Sequence, residues 1–120
     1  MAKHVLIVDD QAEVLEVLGI MLEELGFRVS AVDGGAGMRK FLNKAEPVDL
    51  VVLDRRMPGE DGTTLAFYAQ HDLGLPVLMI SGDIQNIESA ERPNLKLLRK
   101  PFKFQELQDA VAQLVPANPP

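Results

Sequence analysis

The chain has 120 residues, 47% of them apolar, which suffices for one continuous core and leaves no room for a second domain. Cysteine is absent, and no run of about eighteen uncharged apolar residues occurs, so disulfides, thiolate metal sites and thiol nucleophiles are excluded and no membrane span is indicated. The net charge of −6 opposes direct binding to nucleic acid, which needs a basic face to displace counterions.

From Met1-Ala2-Lys3-His4 the sequence enters the apolar run Val5-Leu6-Ile7-Val8 and stops at two acids. Such a run, rich in β-branched residues, reads as a strand buried on both faces. It is too short for a secretory signal, so a cytoplasmic protein is expected. From Gln11 the period becomes helical, with Val14, Leu18, Met21, Leu22 and Leu25 on one face and Gly26 as the C-terminal cap. Phe27 to Val32 is the second strand, stopped by Asp33-Gly34-Gly35, and Met38, Phe41, Leu42 and Ala45 mark a second helix before Pro47. Gly34-Gly35-x-Gly37 lacks the spacings of a phosphate-binding loop and reads as a turn and helix start.

Leu50 to Leu53 is the clearest strand, ending at Asp54 and a loop of turn formers, Met57-Pro58-Gly59-Glu60-Asp61-Gly62. A third helix is expected from about Thr63 to His71, and a fourth strand from Val77 to Ile80, closed by Ser81-Gly82-Asp83. A helix around Ile84 to Glu91 is short and weakly periodic, broken by Pro93. Leu95 to Leu98 is the fifth strand, and Phe104, Leu107, Ala110, Val111 and Leu114 mark the last helix. The expected organisation is one domain over residues 1–115 and a disordered tail, 116–120. Five alternations of strand and helix predict an α/β fold with a parallel sheet covered on both faces. His4 and His71 read as surface or packing residues, and Met21 and Met38 as core.

In such a sheet, ligands bind beyond the carboxyl ends of the strands. There the sequence places Asp9 and Asp10 after the first strand, Asp54 after the third, Ser81 after the fourth and Lys100 after the fifth. Close carboxylates repel one another unless a cation neutralises them, and all-oxygen ligation favours Mg²⁺ over Zn²⁺. Asp10 and Asp54 are the expected direct ligands, with Asp9 direct or acting through water. A phosphoryl group on Asp54 could be neutralised by Mg²⁺ and Lys100 together, with a hydrogen bond from Ser81. Singly, each Asp is more simply a cap or turn former, Ser81 a helix cap and Lys100 a solvated lysine. Five such groups converging on one sheet edge are not explained by capping.

The blocks Val5-Leu6-Ile7-Val8-Asp9-Asp10, Leu53-Asp54-x-x-Met57-Pro58-Gly59-x-x-Gly62, Ile80-Ser81-Gly82 and Lys100-Pro101-Phe102 resemble the signature blocks of response-regulator receiver domains, in order, from about Lys3 to Val115. The wording is closest to receivers of hybrid sensor kinases or stand-alone regulators. The resemblance implies a flavodoxin-like (βα)₅ doubly wound fold with a five-stranded parallel sheet, here with a short or irregular fourth helix. It implies that Asp54 accepts a phosphoryl group from a sensor histidine kinase or histidine phosphotransfer protein. Asp9, Asp10, Asp54 and the backbone carbonyl of Arg56 would hold Mg²⁺, Ser81 and Lys100 would bind phosphoryl oxygens, and the Lys100–Pro101 bond would be cis. The domain would act by switching contacts with a downstream protein, as a monomer or weak dimer with no direct nucleic-acid or membrane contact. It would be a phosphoacceptor capable of self-dephosphorylation, not an enzyme.

The chain departs from the family where Leu97 replaces a frequent aromatic, three residues before Lys100, and where the Ser81–Lys100 segment is short and contains Pro93. Arg56 and Asp83 lie two residues after Asp54 and Ser81, so an ion pair between them could restrict the water that hydrolyses an acyl phosphate, or be a solvated pair without effect. Three rival readings are an aspartyl phosphatase of the haloacid dehalogenase type, a flavodoxin-like flavin carrier, and a receiver-like domain that binds partners without phosphorylation. Arg56 stands where the first needs a second Asp, and Asp9 and Asp10 would repel the phosphate of the second. The intact set of Asp9, Asp10, Asp54, Ser81 and Lys100 opposes the third.

Overall fold

The computed structural model describes residues 2–44, 46–57, 59, 61–82 and 93–115. Strand β1 (His4–Asp9) is buried along its whole length, as its unbroken apolar run requires. Helix α1 (Ala12–Glu24) turns Leu18 and Leu22 inward. Its end is a paired-bond cap: Gly26, at φ +93°, donates to the Glu23 carbonyl at 2.9 Å, and Phe27 donates to that of Leu22 at 3.1 Å. Phe27 is thereby part of the cap, so β2 spans Arg28–Asp33 and not the expected Phe27–Val32. Helix α2 (Gly34–Leu42) follows at once, with Gly34 at φ +76° making the turn that the glycine run predicts.

Strand β3 (Leu50–Asp54) and strand β4 (Val77–Ser81) are wholly buried, each one residue longer than expected. Between them, α3 is α-helical over Gly62–Phe67 and widens into a π-helical turn at Tyr68–Asp72. The expected single helix to His71 is corrected here. The Leu75 N–H reaches back to the Ala69 carbonyl at 3.0 Å, and Gly74, at φ +67°, reverses the chain, so the last turn closes wide. Strand β5 (Leu95–Arg99) and helix α4 (Phe104–Leu114) complete the described elements. The Glu106 carboxylate accepts the Lys103 N–H at 2.9 Å and secures the start of α4. The helix expected around Ile84–Glu91 and the tail 116–120 lie outside the described residues.

All strand pairings are parallel, in the order β2-β1-β3-β4-β5. That is the doubly wound, flavodoxin-like order, which reverses at β1 and β3. Alternate strand residues feed two cores. Val5, Ile7, Val52 and Ile80 pack with Leu22 of α1 and Leu107 and Val111 of α4. Leu6, Val8, Val51 and Leu53 pack with Met38 of α2 and Leu65 and Ala69 of α3. Leu97, standing where the family often has an aromatic, is half-buried against this second core. Tyr68 lies on the π-helical turn under the Arg39 guanidinium, 4.5 Å from the ring centre.

His4 is a packing residue, 2% exposed, at the opposite end of the sheet from the strand-end acids. Its Nδ1 lies 2.8 Å from the Pro47 carbonyl and its Nε2 2.7 Å from Ser30 Oγ. A carbonyl only accepts, so Nδ1 carries the proton and, in the neutral ring, the Ser30 hydroxyl donates to Nε2. His71 is largely exposed and stacks on Phe67 at 4.8 Å.

Candidate phosphoryl-accepting site

The parallel register aligns the strand ends. Asp9 closes β1, Asp54 closes β3 and Ser81 closes β4, all buried. The Lys100 N–H donates to the Ser81 carbonyl at 2.9 Å, which extends the β4–β5 ladder by one bond and delivers Lys100 to the same edge. The Lys100–Pro101 bond is cis, as the resemblance implies. Lys100 Nζ lies 3.2 Å from Asp54 Oδ2. The other oxygen, Oδ1, accepts the Arg56 backbone N–H at 3.3 Å.

Carboxylate oxygens of Asp9, Asp10 and Asp54 lie within 4.8 Å of one another, the one group among the described residues able to offer three such ligands to a metal ion. Asp9 is 1% exposed, Asp54 is 9% exposed, and Asp10 is open to solvent. Burial pushes the Asp9 carboxyl from an ordinary 3.8 to about 6. The Gln11 N–H, 2.9 Å from its Oδ1, opposes that rise, the Asp54 charge adds to it, and Lys100 moderates it. A carboxylate held against its ionisation beside two others is a site short of positive charge. The donor set is all oxygen, which suits a hard divalent cation.

The sequence-predicted residues Asp9, Asp10, Asp54 and Lys100 are therefore together. Ser81 shares their sheet edge, and the Arg56 peptide touches Asp54 through its N–H. Asp83, the expected ion-pair partner of Arg56, lies outside the described residues. Asp33, expected only to stop the second strand, also closes β2 at this edge, in register with Asp9. It is exposed and outside the three-carboxylate group.

Gly62, which the sequence places among the turn formers after Asp54 and in a signature block, is the first residue of α3. Its N–H donates to the Arg55 carbonyl at 2.8 Å, and a Cβ added there would stand 2.7 Å from the Asp54 carbonyl. A glycine eight positions after a strand-end Asp is visible in the sequence, but the contact that requires it is not. An apolar groove lined by Val14, Val17, Leu18, Pro101 and Phe102 adjoins the site, sharing Lys100 with it. Among the described residues no helix is long and apolar enough to cross a membrane.

Comparison with known proteins agrees with this geometry. The family model described as the response regulator receiver domain matches residues 5–112. The chain is 34% identical to the transcriptional regulatory protein GlrR of Escherichia coli K12, over 96% of this chain and 28% of that protein. It is 30% identical to the DNA-binding response regulator MtrA of Mycobacterium tuberculosis, over 89% of this chain and 48% of that protein. The chain thus spans half or less of the length of these relatives. Among solved structures, a response regulator receiver protein from Sinorhizobium medicae superposes with a TM-score of 0.83 at 34% identity, over 94% of both chains. The response regulator TrrA from Thermotoga maritima, solved in complex with Mg²⁺-BeF, superposes with a TM-score of 0.82 at 26% identity, over 94% of this chain and 99% of that one. With the strand order, the acids at the strand ends and the lysine beside them, these matches establish that the chain belongs to the family of response regulator receiver domains of two-component signalling.

Proposed function

We propose that Asp54 is the phosphoacceptor of this receiver. An Asp54 carboxylate oxygen attacks the phosphorus of a phosphohistidine on a sensor histidine kinase or a phosphotransfer protein. The new O–P bond forms as the P–N bond breaks, and the electron pair returns to the imidazole. The observation that carries this reading is the placement of Asp54 at the centre of one sheet edge, with Lys100 at 3.2 Å and the carboxylates of Asp9 and Asp10 beside it.

Asp9, Asp10, Asp54 and the Arg56 backbone carbonyl would hold Mg²⁺, which when bound neutralises the charge that three carboxylates and a phosphoryl group bring together. Lys100 would bind a phosphoryl oxygen once Asp54 carries the acyl phosphate. The Ser81 hydroxyl, at the end of β4, is the neutral donor to another. The Arg56 N–H fixes the rotation of the Asp54 carboxylate. The groove between α1 and the Lys100–Phe102 turn is the face such a donor protein would meet, because it is apolar and continuous with the site. The domain is a phosphoacceptor that passes a signal by protein contact, and residues 1–115 form the receiver unit. Any output activity resides in other segments or partners.

Intact mass after incubation with acetyl phosphate and Mg²⁺ tests the reading. One added phosphoryl group is expected, absent in Asp54→Asn and with a chelator. An adduct that persists in Asp54→Asn, or a folded Mg²⁺-bound protein that accepts nothing from acetyl phosphate or from any histidine kinase tried, would overturn it.

A further inference from the structure

We infer that Gly62 is a positioning residue for the phosphoacceptor, setting the Asp54–Arg56 backbone through the contact of the first turn of α3 with the exit of β3. The inference rests on the reading of Asp54 given above. A Cβ built on Gly62 would lie 2.5 Å from Arg55 Cα, 2.7 Å from the Arg55 carbonyl oxygen and 2.7 Å from the Asp54 carbonyl oxygen. All three are backbone atoms, so no side chain can swing aside to admit a methyl group.

Neither partner in this contact is free to retreat. The Arg55 N–H is bound to the Ile80 carbonyl at 2.9 Å, which ties the exit of β3 to β4. On the other side, Leu65 and Ala66 bury α3 in the second core, and the Asp61 side chain caps its first turn by accepting the Thr63 N–H at 2.9 Å. The Gly62 N–H donates to the Arg55 carbonyl at 2.8 Å, so the two segments are joined where a side chain would part them. Directly beyond Arg55 is the Arg56 peptide, whose N–H holds Asp54 Oδ1 at 3.3 Å. That bond is already long, and a shift of a few tenths of an ångström at Arg55 breaks it. Displacement of the 54–56 backbone therefore reaches the carboxylate that must be aligned for attack, and with it the Arg56 carbonyl proposed for the metal.

The test compares Gly62→Ala with Leu65→Ala, which loosens the same helix from the core without touching residues 54–56. Mg²⁺ affinity is read by calorimetry and the acetyl-phosphate reaction by intact mass, both at a temperature where each variant is folded. Gly62→Ala is expected to lower the Mg²⁺ affinity and the phosphorylation rate by about tenfold or more each, and Leu65→Ala to keep both within about twofold. Gly62→Ala values within about twofold of wild type, or an equal loss in Leu65→Ala, would overturn the inference.

If Gly62→Ala does not fold, the pair Asp61→Ala and Asp61→Asn decides. The charge change is the same, but only asparagine keeps an acceptor for the Thr63 N–H. Asp61→Ala should weaken Mg²⁺ binding about threefold or more and Asp61→Asn restore it, whereas equal values would refute the role of the α3 start. A wild-type protein that binds Mg²⁺ but takes no phosphoryl group would sink the reading of Asp54, while the affinities would still judge Gly62.

Discussion

Asp9 is buried at the end of β1 with its carboxyl pushed up to about 6, so in the metal-free protein its charged form is held at a cost. Replacing it by asparagine keeps an oxygen for the Gln11 N–H and removes the charge. The folded-state value lies above the ordinary 3.8, so the native state binds more protons than the unfolded chain between the two, and stability falls as pH rises through that window. Below 3.8 both states are protonated and nothing is lost, whereas above about 6 the whole penalty applies. At about 1.4 kcal/mol per pH unit, the span from 3.8 to about 6 sets a penalty of about 3 kcal/mol.

Asp9→Asn should therefore be more stable than the wild type by roughly 1–3 kcal/mol at about pH 7.5 in chelator, an increase in urea midpoint on the order of 1 M. At about pH 5 the advantage should shrink to roughly half, because part of the wild-type carboxyl is then protonated. Adding Mg²⁺ should narrow or reverse the order, since the wild type gains the binding energy of an ion that the variant holds poorly. The assay is equilibrium urea unfolding by circular dichroism at both pH values, with and without Mg²⁺. A variant no more stable than wild type at the higher pH, or an advantage equal at both, would show that burial of Asp9 is not opposed by its charge.

Two further outcomes follow from particular contacts. Lys100→Met removes the ammonium 3.2 Å from Asp54 Oδ2, and phosphorylation by acetyl phosphate should slow by roughly 10²–10³-fold, the range for losing one donor to a developing anion. A rate within about tenfold of wild type, followed by intact mass, would remove Lys100 from the reaction. His4→Leu strands the Ser30 hydroxyl and the Pro47 carbonyl and should cost about 1–3 kcal/mol in urea unfolding, with part regained in His4→Leu/Ser30→Ala. A double variant as unstable as the sum of its parts would deny the coupling of His4 and Ser30.

Much of the fold was legible because parallel strands buried on both faces write themselves as unbroken apolar runs, and here β1 and β3 each stop at an Asp. The site was legible for the same reason, since strand ends meet at one edge whatever lies between them. What escaped was set by contacts between segments. Phe27 is apolar enough for a strand, yet its N–H is committed to the α1 cap. The widened turn of α3 depends on Gly74 and on the Leu75–Ala69 bond, neither of which alters the apolar period that suggested one plain helix. The seat of His4 is formed by Ser30 and Pro47, which nothing in its own neighbourhood announces. Gly62 is the sharpest case, because its reason is the backbone of two residues it does not adjoin in sequence.

The Lys100–Asp54 contact closes a span of 46 residues, and Asp9 and Asp10 come from the other end of the chain. The full set is not assembled until β1, β3, β4 and β5 have docked side by side, and such long-range parallel pairing is the slow part of folding. No fragment short of the assembled sheet can own the site. The complete set of Asp9, Asp10, Asp54 and Lys100 is thus a late-acquired property of the chain. A ligand seated across these strand ends in turn braces the strands against coming apart, so occupancy of the site and survival of the sheet under proteolysis should rise together.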